Sequence, residues 1–383
     1  MLYYIMKKSS IVPNIIFIII LVLLMFLYRR FEDKRMREET QDNTETIQKF
    51  LLDDVTLAES KKPILWIHVP YEYNSRKWLS FGSRSSFDLN QPYLYLTIRS
   101  IIQQCEESFT ICIIDDTAFK RLIPNWSVDM TSISAPILDN MRKLALMKLL
   151  YIYGGLLCPM SFVCIKDLAG MYTKGVRGDK MFLCETNDRN ITSTTHEFYP
   201  SLTFCGAQKE CATVGSLIDF IQRTMSQDYT AETEFLGNFD RWANTRIQKG
   251  EINMIDGLEI GIKTIDEKPI LIDDLMSNNY IQFYTGTYGI LIPADEILKR
   301  RKYEWFARMS QKQILESNTI IGNYLLVNAG EGGNILEPLT PAINNEVKRK
   351  YVGFWKTPNY PGLFGLKPNF LGDNLLKQEY TGR

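Results

Sequence analysis

Two short apolar runs separated by one helix-length segment constrain this chain most. Ile64-Leu65-Trp66-Ile67-His68-Val69 lies between Pro63 and Pro70. A run so brief and so continuously apolar predicts a buried strand. Residues 92–104 then place Leu94, Ile98, Ile101 and Ile102 on one side, as an amphipathic helix does. Phe109-Thr110-Ile111-Cys112-Ile113-Ile114 follows as a second buried strand and ends in Asp115-Asp116. Strand, helix and strand at this spacing predict parallel strands joined by a crossover, hence an α/β fold with a mostly parallel sheet flanked by helices.

Further elements extend the pattern. Residues 136–153 form a helix that is apolar almost all round, with Arg142, Lys143 and Lys148 among its polar positions. Such a helix belongs inside a fold. It stops at Gly154-Gly155, a natural C-terminal cap. The runs 156–165, 180–185 and 202–206 read as strands, and 215–225 as a helix. A further helical stretch starts after Pro293. Beyond residue 310 prolines become frequent, with Pro338, Pro341, Pro358, Pro361 and Pro368. We therefore expect one domain over 63–310 and a C-terminal extension, 311–383, packed on its core.

Composition narrows the function classes. Lys plus Arg and Asp plus Glu both number 44, so no global basic field exists to bind nucleic acid. The only histidines, His68 and His196, argue against His-rich zinc chemistry. The seven cysteines include no C-x-x-C pair and mostly sit inside apolar runs, which predicts buried free thiols.

The N-terminus reads as a membrane anchor. Residues 11–28, IVPNIIFIIILVLLMFLY, form a helix of about 18 residues that spans ~27 Å, close to the hydrocarbon thickness. Arg29-Arg30-Phe31-Glu32 follows, and no small-residue cleavage site. The expected layout is a tail (1–10), a single-pass anchor (11–28) and a charged stalk (29–62). The membrane would be of Golgi or ER type, or viral. Lys7 and Lys8 before the span are outnumbered by Arg29, Arg30, Lys34, Arg35 and Arg37 after it, which slightly favours a cytosolic domain. A short tail before a signal anchor is also the plan of lumenal enzymes, and topology stays open.

Chemistry is expected where the strands end. Asp115-Asp116 closes a predicted parallel strand at its carboxyl end, the edge at which open α/β sheets bind ligands. A carboxylate there can accept hydrogen bonds from ribose or a base; a turn or helix-cap role is the alternative. Tyr71, Tyr73 and Trp78 interleave with Arg76, Lys77 and Arg84 after the first strand. Cations suit phosphates, and aromatic faces suit bases or sugars. Asp256 and Asp273-Asp274 flank apolar runs and could act as further acids.

Asp139-Asn140-Met141-Arg142, followed by Tyr151-Ile152-Tyr153-Gly154-Gly155, resembles the glycosyltransferase family whose sugar-binding region carries a DXD motif. That family includes yeast mannosyltransferase-like proteins and capsular polysaccharide enzymes. Its pattern is an Asp-x-x-Arg on a helix, a Leu/Tyr run, Tyr-Gly-Gly and then Asp-x-Asp. The first strand, with His68 and Trp66, is similar too, and the resemblance covers about residues 63–290. It implies a GT-A-like fold that transfers sugar, with retention, from a nucleotide-sugar donor to a glycan or glycoprotein acceptor. Asp139 and Arg142 would be catalytic, orienting sugar and diphosphate. His68, Tyr71, Arg76, Asp115, Asp116, Gly154 and Gly155 would hold the donor.

Two departures stand out. Asp139 and Arg142 sit about one turn early. The positions matching the metal-binding acids are Pro159, Met160 and Ser161. A divalent cation wants hard oxygen ligands, which Pro159 and Met160 lack, so metal-dependent catalysis does not carry over. The alternatives are a transferase using cations in place of the metal, and an inactive relative that binds glycans or scaffolds at a membrane. A structural membrane protein of an AT-rich genome is a third reading.

Overall fold

The computed structural model describes residues 20, 21, 23–28, 30, 62–70, 91–133, 137–187, 197–227, 232–299 and 302–329. The chain divides into two units, 1–49 and 50–383. In the first, residues 20, 21 and 23–28 are helical, and their apolar side chains are exposed. Among the described residues no helix is long and apolar enough to cross a membrane. The tail, the rest of the expected anchor and nearly all of the stalk lie outside the described residues.

The second unit is α/β. Its main sheet has six strands: β1 (Ile64–His68), β2 (Thr110–Ile114), β3 (Gly155–Leu157), β5 (Met181–Thr186), β6 (Tyr199–Ala207) and β7 (Ile252–Ile255). They lie in the order β2-β1-β3-β6-β5-β7. β1 pairs in parallel with both β2 and β3, and β5 in parallel with β7. β6 is antiparallel to both of its neighbours. The sheet is thus mostly parallel, as expected, with one reversed strand. The run 156–165 makes two short strands rather than one. Pro159 has no N–H for a ladder and separates β3 from β4 (Phe162–Cys164). β4 instead pairs antiparallel with β8 (Gly289–Leu291) in a second, two-stranded sheet.

Helices cover the sheet, and two cores result. The first gathers Trp66, Ile114, Leu183 and Cys205 from the strands. Against them pack α3 (Ile137–Tyr153), through Leu146 and Leu150, and α5 (Ala212–Ser226), through Leu217 and Ile221. α6 (Glu232–Gln248) adds Phe239 and Ala243. The second core joins α1 (Tyr93–Cys105) and the small sheet to residues as late as Leu325. It includes α10 (Gln311–Leu315) and α11 (Ile320–Ala329), so residues of the 311–383 segment pack into this core. Residues 330–383 lie outside the described residues. The smaller helices are α2 (Phe119–Leu122), α4 (Ala169–Gly175), α7 (Ile272–Leu275), α8 (Ala294–Lys299) and α9 (Glu304–Arg308).

Strand order locates the cleft. The connection from β1 leads outward to β2, whereas the chain leaving β3 works toward the opposite edge. The order therefore reverses between β1 and β3. In open α/β sheets the crevice outside the carboxyl ends at such a point is where ligands bind.

Candidate active site at the carboxyl edge

His68 closes β1 at this carboxyl edge. Asp116 follows β2, and Arg142 lies one turn into α3, which runs back across the sheet. The fold brings these three residues together. Asp116 Oδ1 accepts from His68 Nε2 at 2.9 Å. Arg142 Nη2 donates to Asp116 Oδ2 at 2.7 Å, and its Nε donates to both oxygens at 3.1 and 3.2 Å. Asp139, three residues earlier on α3, stands 3.6 Å from Arg142 Nη1. Asp116 is 13% exposed at its side chain, and Asp139 is 57% exposed.

The electrostatics follow from this packing. Burial alone raises the Asp116 carboxyl. The hydrogen bonds from His68 and Arg142, with their charges, outweigh burial and hold it below the usual carboxylate range. Asp116 is thus a fixed anion. It makes Nε2 the protonated nitrogen of His68 and leaves Nδ1 as the second ring position, so the pair is a carboxylate-oriented imidazole. The ring also lies 5.3 Å from Phe119, which restricts its rotation.

The other expected site residues separate. Asp115 turns away from this cluster: its carboxylate accepts from Thr117 Oγ1 and from the Ala118 amide, which is the turn-cap role. Gly154 and Gly155 stand at the amino edge, across the sheet from His68. Both have positive φ, +72° and +110°. A Cβ on Gly155 would overlap the Ile64 carbonyl oxygen, and one on Gly154 would meet the Lys209 amide nitrogen at 2.7 Å. Gly154 O also accepts from Trp66 Nε1 at 2.9 Å. Their glycine character is explained by strand packing, not by a ligand. Tyr71, Arg76, Lys77, Arg84 and His196 lie outside the described residues.

The second set of acids is placed as well. Asp273 accepts from Tyr303 Oη, and Asp274 caps α7 through the Leu271 amide. Asp256 stands after β7 and pairs with Lys263 at 3.6 Å. Lys263 also pairs with the buried Glu185 of β5, whose Oε2 accepts from the Gly257 amide at 2.9 Å. Glu185 and Lys263 were missed in the sequence. Glu185 is a lone charged residue at the end of an apolar run, and an unexplained charge inside a strand is the signal that could have found it.

Few side-chain ligands for a divalent cation stand on the segment after β3. Residues 159–161 follow β3 at its carboxyl end. Pro159 and Met160 offer no oxygen side chain, and Ser161 is buried. Among the described residues no group of three His, Cys, Asp or Glu side chains could hold a metal ion. Nor does Arg142 bring surplus positive charge for a diphosphate, since it faces two carboxylates, Asp116 and Asp139.

All seven cysteines are buried free thiols, as expected. No family model, no curated protein and no solved structure matches the chain.

Proposed function

We propose that the protein is a glycosyltransferase-like membrane protein that binds a nucleotide-sugar at the carboxyl edge of β1 and β2 and passes the sugar to a glycan or protein acceptor. One observation carries the reading. His68, Asp116 and Arg142 come from three separate segments, and they converge at the crevice where the strand order reverses. Asp116 and His68 supply acceptor and donor positions for ribose or sugar hydroxyls. Arg142 acts as a positioning residue that holds the Asp116 carboxylate, rather than as a free cation for the leaving diphosphate. The membrane association rests on the apolar run 11–28.

A second reading has its own support. A cleft with Pro159 and Met160 at the metal positions and a neutralised Arg142 suits a catalytically inactive relative that binds glycans or scaffolds. Calorimetry on the full-length chain with UDP, GDP, CMP and their sugars, with and without Mn²⁺, separates the two. The transferase reading expects a nucleotide to bind and an Asp116→Ala variant to lose at least about tenfold in affinity. If no nucleotide binds, the transferase reading falls and the inactive one stands.

A further inference from the structure

The carboxyl edge carries a second polar station. β5 and β7 run parallel to each other and, through β6, in the same sense as β1. Glu185 near the end of β5 and Asp256 after β7 therefore face the same edge as His68. Lys263 pairs with both carboxylates, and its ammonium lies 4.4 Å from the centre of the Phe198 ring, just ahead of β6. Three inter-strand steps separate β1 from β5, about 14 Å at the usual ~4.8 Å spacing. That gap suits two ligands lying end to end along the carboxyl edge.

The rim beside this station is aromatic. The Ile265 amide donates to Gln282 O at 3.2 Å, which lays the 263–269 turn against the 280–284 segment. Ile265, Tyr280 and Tyr284 are all exposed there. Gly286 lies under the Tyr284 ring, with no room for a Cβ between them. Asp256 is half exposed, and its Oδ1 accepts from the Leu258 amide at 2.8 Å. Its Oδ2 has no partner among the described residues.

We infer that the Glu185–Lys263–Asp256 station and its tyrosine rim bind the acceptor, and that the acceptor is a neutral saccharide. This rests on the transferase reading of the His68 site. The half-exposed Asp256 carboxylate can accept hydrogen bonds from vicinal hydroxyls, the buried Glu185–Lys263 pair fixes the turn beside it, and the tyrosine faces can cover the apolar faces of sugar rings. Charge decides the class. At this second station two carboxylates, Glu185 and Asp256, stand against one ammonium, Lys263, among the described residues. A sulfated or carboxylated glycan would meet net repulsion.

Saturation-transfer NMR on the full-length chain tests this with mannotriose, maltotriose and cellotriose as neutral probes and a sulfated disaccharide as the anionic one. At least one neutral probe should bind, the sulfated probe should not, and Asp256→Ala and Tyr284→Ala should each weaken the neutral probe about tenfold. Both side chains are substantially exposed, so melting temperature should stay close to that of the parent chain. Absence of neutral binding, preference for the sulfated probe, or indifference to both variants overturns the inference. Nucleotide binding on the same sample keeps the two ideas apart. Nucleotide bound without saccharide sinks only this inference, and saccharide bound without nucleotide sinks the transferase reading and with it the acceptor role, leaving a neutral-saccharide site.

Discussion

Arg142 grips the Asp116 carboxylate through two nitrogens, with Nη2 at 2.7 Å from Oδ2 and Nε within 3.2 Å of both oxygens. The two residues are 26 positions apart, on different elements. A planar guanidinium fits this fork and an ammonium does not. Arg142→Lys should therefore behave nearly as badly as Arg142→Ala. Each should lower stability by about 2–3 kcal/mol, as loss of a charge-assisted partner does, and each should weaken nucleotide binding. Urea unfolding with calorimetry checks both. Full rescue by lysine would refute the fork as the operative feature.

Asp116 should also leave a mark on acid stability. Its carboxyl titrates below the ordinary aspartate value near 3.9 because His68 and Arg142 favour the anion over the opposing effect of burial. A depressed folded-state value means that the contribution is present above the unfolded value and is lost as pH falls through the folded one. The parent chain should thus lose stability from this group only below about pH 4. Asp116→Asn should be less stable at neutral pH and show a shallower acid limb in melts followed from pH 6 to 2.

Two glycines with positive φ should respond differently. Gly155 (φ +110°) abuts the Ile64 backbone, whereas Gly250 (φ +72°) opens onto free space. Gly250→Ala should cost about 1–2 kcal/mol, the left-handed penalty alone. Gly155→Ala adds a backbone clash between β1 and β3 and should cost more than about 4 kcal/mol or prevent soluble expression. Equal melting temperatures for the two variants would contradict the packing described.

Thiol chemistry reports the core. Cys158, Cys164 and Cys184 are fully buried, and burial pushes each thiol well above its ordinary value. Cys112 is pushed up to about 12, also by burial. Since the thiolate is the reactive form, these groups should resist an alkylating reagent in the native chain at neutral pH. Mass spectrometry should show all seven labelled only after denaturation, native labelling being at least about a hundredfold slower.

Much of the fold was legible because it rests on local pattern. β1, α1, β2 and α3 emerged within a residue or two, since continuous apolar runs and a 3.6-residue stripe report burial directly. α6 was not anticipated: its polar residues outnumber the few, such as Phe239 and Ala243, that reach the first core. Strand direction was not legible either. An apolar run looks the same whichever way it points, so the reversal of β6 emerges only from its pairing with β3 and β5.

The site divides along the same line. Sequence alone determined that Asp116 follows a strand and that Asp139 and Arg142 share a helix. Those statements need only adjacency and residue chemistry. Tertiary structure alone decided that Asp116 joins His68 and Arg142 while Asp115, its neighbour, caps a turn, because consecutive residues after a strand point in different directions. It also decided that Gly154 and Gly155 sit at the opposite edge, and that Glu185 and Lys263 form a station of their own. Contacts between residues far apart in sequence depend on which strands lie side by side, and that order is set by how the two cores pack.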